Sequence, residues 1–200
     1  MQGKPECGDG PGEENMKKAV SYVALAVVCA SSLLLNAKSA AANAAPSASQ
    51  AVLSQWNEVG RKLIAMAEDF PEDKYDFKPV PAVRSFAEQL LHASASMYYF
   101  TDPVQGQKPR YADDPKRDGL KTKAQVVAFV KKCVEDGAAL IKAKGDKGMS
   151  ESTTDPESKQ QLQVSDLAYG IIEHSGEHYG QLVVYYRTAG LVPPESRPKK

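Results

Sequence analysis

This 200-residue chain is short of cysteine, has no excess of charge of either sign and has no strand-like alternation. Each shortage excludes something. The three cysteines are Cys7, Cys29 and Cys133. The first two fall in an N-terminal segment expected to be removed. Cys133 is then left alone, which excludes an intrachain disulfide in the mature chain. It sits in an amphipathic stretch, where a buried, inert thiol is the ordinary case. The 25 basic and 25 acidic side chains cancel. Lys and Arg are scattered rather than striped, which argues against nucleic acid or an anionic membrane surface as a partner. There is no glycine-rich loop to cradle phosphate and no G-x-S-x-G turn to present a serine nucleophile. No segment alternates convincingly with period two, so the expected fold class is all-α.

The first 45 residues do not read as part of a fold. Met16-Lys17-Lys18 is a short positive start, and Ala19 to Leu35 is an apolar run broken by Ser21, Ser31 and Ser32. Ser39 to Ala45 is a tract of small residues. That order is the pattern of a secretory signal peptide over 16–44, with Ala42-Asn43-Ala44 as the favoured cleavage site. The mature chain then begins near Ala45, is periplasmic or secreted, and keeps no stable membrane span. An uncleaved signal would instead anchor it, since the run is near spanning length. Lipidation at Cys29 fits less well, because Ala26-Val27-Val28 is a poor lipoprotein site. Residues 1–15 are polar, rich in Gly and Pro, and precede the positive start. They read as a leader outside the true protein, with Met16 as initiator. Gly12-Glu13-Glu14 requires purine-rich codons that resemble a ribosome-binding sequence.

The remainder, 45–200, suits one domain. Four segments have helical periodicity. The first, about Ser49 to Asp69, places Val52, Leu53, Trp56, Val59, Leu63, Ile64 and Ala67 on one face. Ser47 with Gln50 forms its capping box, and Phe70-Pro71 ends it. The second runs from Phe86 to about Phe100, opened by Ser85 with Glu88 and stopped by Asp102-Pro103. The third, about Lys123 to Lys142, has Val127, Val130, Val134, Ala138 and Ile141 as its stripe. The fourth runs from about Asp166 to Ala189 and stops at Gly190 and Pro193-Pro194. The connections 71–84, 101–121 and 144–164 are long for a bundle, and long loops often shape a binding mouth. Four such helices bury their faces most simply as a four-helix bundle.

There are three histidines, and each falls inside an expected helix. On the fourth, Leu167, Ile171, His174, His178, Gln181 and Tyr185 follow a core seam, so two imidazoles replace apolar residues one turn apart. His92 lies beside the apolar stripe of the second helix, stacked with Glu88, Ala95, Ser96 and Tyr99. Three imidazoles can hold a divalent transition metal (zinc, nickel, iron, manganese or copper) and leave coordination open. Hydrogen-bonded core histidines are the competing reading, and composition alone leaves both standing. Glu173 and Glu177 flank the pair and read as a solvated face or as support for a ligand imidazole. Trp56, Tyr99, Tyr179 and Gln181 are candidate pocket residues by position. Trp56 and the tyrosines equally suit core packing, whereas an amide on the seam needs partners. Ser175 stands where a zinc-peptidase H-E-x-x-H helix requires Glu, which argues against peptidase chemistry.

Arg84-Ser85-Phe86-Ala87-Glu88-Gln89-Leu90-Leu91-His92 resembles the second-helix signature of the DinB-like family of metal-binding helical bundles. Glu173-His174-Ser175-Gly176-Glu177-His178-Tyr179-Gly180-Gln181-Leu182 resembles its fourth-helix signature. Tyr186-Arg187-Thr188-Ala189-Gly190-Leu191-Val192-Pro193-Pro194 is similar to its close. The resemblance implies a DinB-like four-helix bundle, a homodimer, and one metal held by His92, His174 and His178. It also implies a metal-dependent enzyme, either a thiol-using transferase or a hydrolase acting on a small molecule. Export argues against the thiol version, because thiol cosubstrates are mainly cytosolic. A non-catalytic metal- or ligand-binding envelope protein is the other reading, since a shared fold does not carry an activity with it.

Overall fold

In the computed structural model, residues 45–111 and 114–198 are described. The leader and signal peptide expected over 1–44 lie outside the described residues. The helices are α1 (Ala48–Asp69), α2 (Phe86–Ala95), α3 (Tyr98–Val104), α4 (Lys123–Met149) and α5 (Val164–Thr188). Polar side chains set their starts. Ser85 and Glu88 exchange side-chain and backbone hydrogen bonds at the head of α2, and Thr122 and Gln125 do so at α4. At α1, Gln50 accepts the Ser47 N–H, and Asp146 accepts both the Ser47 hydroxyl and the Ser49 N–H.

The architecture is a four-helix bundle in which α2 and α3 form one interrupted helix. α4 and α5 each pack against both α1 and α2, while α1–α2 and α4–α5 touch only sparingly. The order around the bundle is therefore α1, α4, α2, α5. Helices consecutive in sequence, α1 with α2 and α4 with α5, lie on diagonals. Diagonal helices need longer links, which accounts for the length of 71–84 and 144–164. The α1–α4 seam is close. A methyl group at Gly137 would lie 1.9 Å from the Trp56 ring, and one at Gly60 would lie 2.4 Å from Val134.

The core centres on Trp56, Leu63, Phe70, Phe86, Leu90 and Tyr186, all fully buried. Phe70 stacks on Phe86 at 3.7 Å, and Tyr186 meets Phe70 edge-on at 4.9 Å. Cys133 is buried and its thiol is pushed up to about 12 by burial, so it is inert at neutral pH. Among the described residues, no helix is long and apolar enough to cross a membrane.

Three expectations need correction. The second helix does not run unbroken to Phe100. Met97, Tyr99 and Phe100 donate three residues back rather than four, and the Ser96 hydroxyl bonds the His92 carbonyl. The chain then resumes as α3, with Asp102 and Pro103 inside it. Asp102 does not stop the helix because it is buried and gripped by the Arg110 guanidinium at 2.6 Å. Second, 144–164 is not all loop. Ser152–Thr154 (β1) pairs antiparallel with Gln161–Gln163 (β2), three residues each and too short to show an alternation. Third, the face of α4 is turned slightly from the expected stripe. Val126, Cys133 and Gly137 are buried, while Val127 and Ala138 are only partly so. Gly145, at φ +57, kinks this helix near its expected end.

Candidate metal centre

The diagonal arrangement lets α2 and α5 share one seam. His92 sits in the last turn of α2, and His174 and His178 are one turn apart on α5. One ring nitrogen from each lies within 4.8 Å of the others. Ring centroids are 4.3 Å apart for His174–His178, 4.5 Å for His92–His178 and 5.4 Å for His92–His174. His178 is buried, and the other two are half-buried. Burial, and then the neighbouring His174, push His178 down to about 4. Burial and His92 also lower His174. These two imidazoles are thus neutral at physiological pH, the state that offers a lone pair to a metal.

Neighbouring polar groups orient the rings. Asp114, from the 105–121 connection, lies 2.5 Å from His92 Nδ1 and accepts from Arg84 Nε at 2.8 Å. Burial works to raise the Asp114 carboxyl, but hydrogen bonds from His92 and Arg84 hold it below the usual range. With Nδ1–H donated to this carboxylate, His92 has Nε2 free. His178 Nδ1 lies 2.5 Å from the Gln89 amide and 3.1 Å from Gln181 Oε1. The Gln89 and Gln181 amides are also hydrogen-bonded to each other. Nδ1–H donated to Gln181 Oε1 leaves His178 with Nε2 free. His174 Nε2 meets the Ser96 hydroxyl at 3.0 Å.

A cavity of about 460 Å³ opens beside the cluster, lined by His92, His174, Tyr99, Tyr111, Leu167 and Ile171 among others. Tyr99 and Ser96, read on the His92 face from spacing, both line it. The other position-based candidates fare differently. Gln181 is exposed rather than buried on the seam, although it does reach His178. Glu177 is exposed, and its charge acts on His174. Trp56 and Tyr179 do not line the cavity. The Trp56 indole donates to the Val134 carbonyl at 2.9 Å in the α1–α4 core, and Tyr179 packs beneath Lys62. Helical spacing gives a residue's face but not its height along the bundle. Asp114, Gln89, Asp155 and Glu157 were not singled out from sequence. Gln89 could have been, lying three residues before His92 on the same helix. Asp114 and the ribbon residues arrive from connections that leave no periodic signal.

The family model of the DinB superfamily matches residues 55–182. Solved structures share the fold. A DinB-like protein of Bacillus subtilis, YjoA, superposes with a TM-score of 0.57 at 17% identity, over 74% of this chain and 99% of that one. A DinB-like protein of Bacillus cereus gives 0.60 at 14% identity, over 72% and 93%. YfiT of Bacillus subtilis gives 0.56 at 16% identity, over 72% and 88%, and is reported as a probable metal-dependent hydrolase with an unusual four-helix bundle topology. No curated protein matches the chain.

Proposed function

This chain belongs to the DinB superfamily, and on that premise we propose that it is a metal-dependent hydrolase of a small molecule. His92, His174 and His178 hold one divalent ion. The observation that carries this reading is the convergence of three imidazole nitrogens within 4.8 Å from two helices. The donor set fits a transition metal, since imidazole nitrogens suit zinc, nickel, iron, manganese or copper. When bound, such an ion supplies Lewis-acid activation of water and of a substrate oxygen.

The chain's own residues do the rest. Asp114 fixes the ring and tautomer of His92, and Gln181 does so for His178. Three protein ligands leave room for substrate beside them. Tyr99, Leu167 and Ile171 form a wall that shields the reacting end from bulk water. The YfiT description as a probable metal-dependent hydrolase agrees with this reading. Export by residues 16–44 and a homodimer belong to the same proposal. Export disfavours a thiol-using transferase. Cell fractionation tests the first and sedimentation the second.

The deciding experiment is elemental mass spectrometry on the untagged protein, alongside His92→Ala and His174→Ala. About one metal per chain, lost in both folded variants, is the expected outcome. A protein that stays metal-free after reconstitution would leave a bundle with core histidines, or a metal-free ligand-binding protein of the envelope.

A further inference from the structure

The walls of the cavity beside the histidines differ in kind. Its flank is apolar, made by Ala95, Tyr99, Leu167 and Ile171. Its charged lining residues are all carboxylates, with no Lys or Arg among the described residues. The three carboxylates are not equivalent. Asp114 is taken up by His92 and Arg84. Asp155 is committed through one oxygen, which accepts the Glu157 and Ser158 backbone N–H groups at 2.7 and 3.3 Å in the loop between β1 and β2. The nearby Lys159 ammonium is bonded to the Pro156 carbonyl and does not line the cavity, but its charge acts on Asp155, which leaves Glu157 as the carboxylate without a cation. Glu157 has no side-chain hydrogen bond or ion pair among the described residues. It is exposed, and its charge is felt by His174.

The lining therefore joins half-buried imidazoles, the buried apolar side chains of Ala95 and Leu167, and an exposed Glu157 whose side chain has no hydrogen-bond or ion-pair partner among the described residues. An ion on the histidines would add positive charge at the imidazoles, opposite in sign to the Glu157 carboxylate. We propose that the substrate is a small molecule with an electron-pair donor at one end, an apolar or aromatic body, and a cationic amine at the other end that meets Glu157. Ligands with a carboxylate tail are disfavoured by repulsion from the same carboxylate. This inference rests on the metal reading given above and adds to it the charge and polarity of what the site takes.

The test uses the zinc-reconstituted full chain and two synthetic probes, 4-(aminomethyl)benzohydroxamic acid and 4-carboxybenzohydroxamic acid. Both carry the same metal-seeking head and ring and differ only in the charge of the tail. Calorimetry is expected to show the amine probe binding about three- to tenfold more tightly, the size expected of a partly exposed charge contact. Glu157→Gln should reduce that preference while leaving zinc content unchanged, and His174→Ala should abolish binding of both probes. Equal affinities, a preference for the carboxylate probe, or zinc bound with neither probe binding would overturn the inference and leave the metal site standing. Failure to hold zinc at all would overturn the metal reading itself, and this inference with it.

Discussion

The two ends of the α2–α5 seam are built from the same pair of helices and differ in every other respect. At one end, Phe86 of α2 packs against Phe70 and against Tyr185 and Tyr186 of α5, and the Tyr186 hydroxyl donates to the Met66 carbonyl at 2.9 Å. At the other, His92 faces His174 and His178 across an open cavity. The aromatic end satisfies its polar atoms internally and excludes solvent. The histidine end gives up apolar contact for nitrogen lone pairs and leaves space beside them. Side chains at equivalent positions along one seam thus close a packed core at one end and converge beside an open cavity at the other.

That contrast breaks most sharply under truncation of the aromatic end. Phe86→Ala should cost about 3–5 kcal/mol of stability, because it removes a ring at the centre of a stacked cluster and leaves a cavity. Denaturant unfolding in EDTA measures it, and a loss below about 1 kcal/mol would mean the cluster is not central. His174→Ala, at the other end, should lower metal affinity by at least about 100-fold while barely moving the EDTA unfolding midpoint, since it removes a ligand rather than a packed hydrophobe. A large fall in metal-free stability would assign the histidines to the core instead.

Smaller effects sharpen the same division. Asp114→Asn should weaken metal binding about 10- to 100-fold by loosening the ring and tautomer of His92, with the metal stoichiometry unchanged at saturation. Competition with a chelator reads it, and an unchanged affinity would reduce Asp114 to a surface ion pair. The smallest effect is on pH. His178 ionises near 6.5 in the unfolded chain but is held down to about 4 in the fold. Between those values the unfolded state binds the extra proton, so stability rises with pH there. The contribution of His178 is complete above pH 6.5 and lost as pH falls toward 4. Urea midpoints in EDTA should drop over that window, and the drop should shrink in His178→Asn. A flat profile would mean that the ring is no more shielded when folded.

Much of this was legible in one dimension. The Ser85–Glu88 and Thr122–Gln125 pairs mark helix starts because their hydrogen bonds are made within four residues. His174 and His178 could be paired from spacing alone because the helical repeat puts them on one face. Other features depend on distant parts of the chain. The chain runs on through Asp102 and Pro103 into α3, where Asp102 is buried and held by Arg110 from outside the helix. The β1–β2 ribbon is too short for any period to register. Trp56 reads as a pocket residue by its face, yet it faces the α4 backbone, where Gly137 makes room for its ring.

The sequence by itself determined that residues 45–200 are helical, where the helices begin, and that three imidazoles stand on faces able to meet. These are consequences of local hydrogen bonding and of a fixed helical period. Only the tertiary structure decided that consecutive helices lie on diagonals, that Asp114 comes to the cluster from an irregular connection, and that Asp155 and Glu157 line the cavity beside it. Those outcomes depend on which faces bury the most apolar surface together, and that choice is made among segments far apart in the chain.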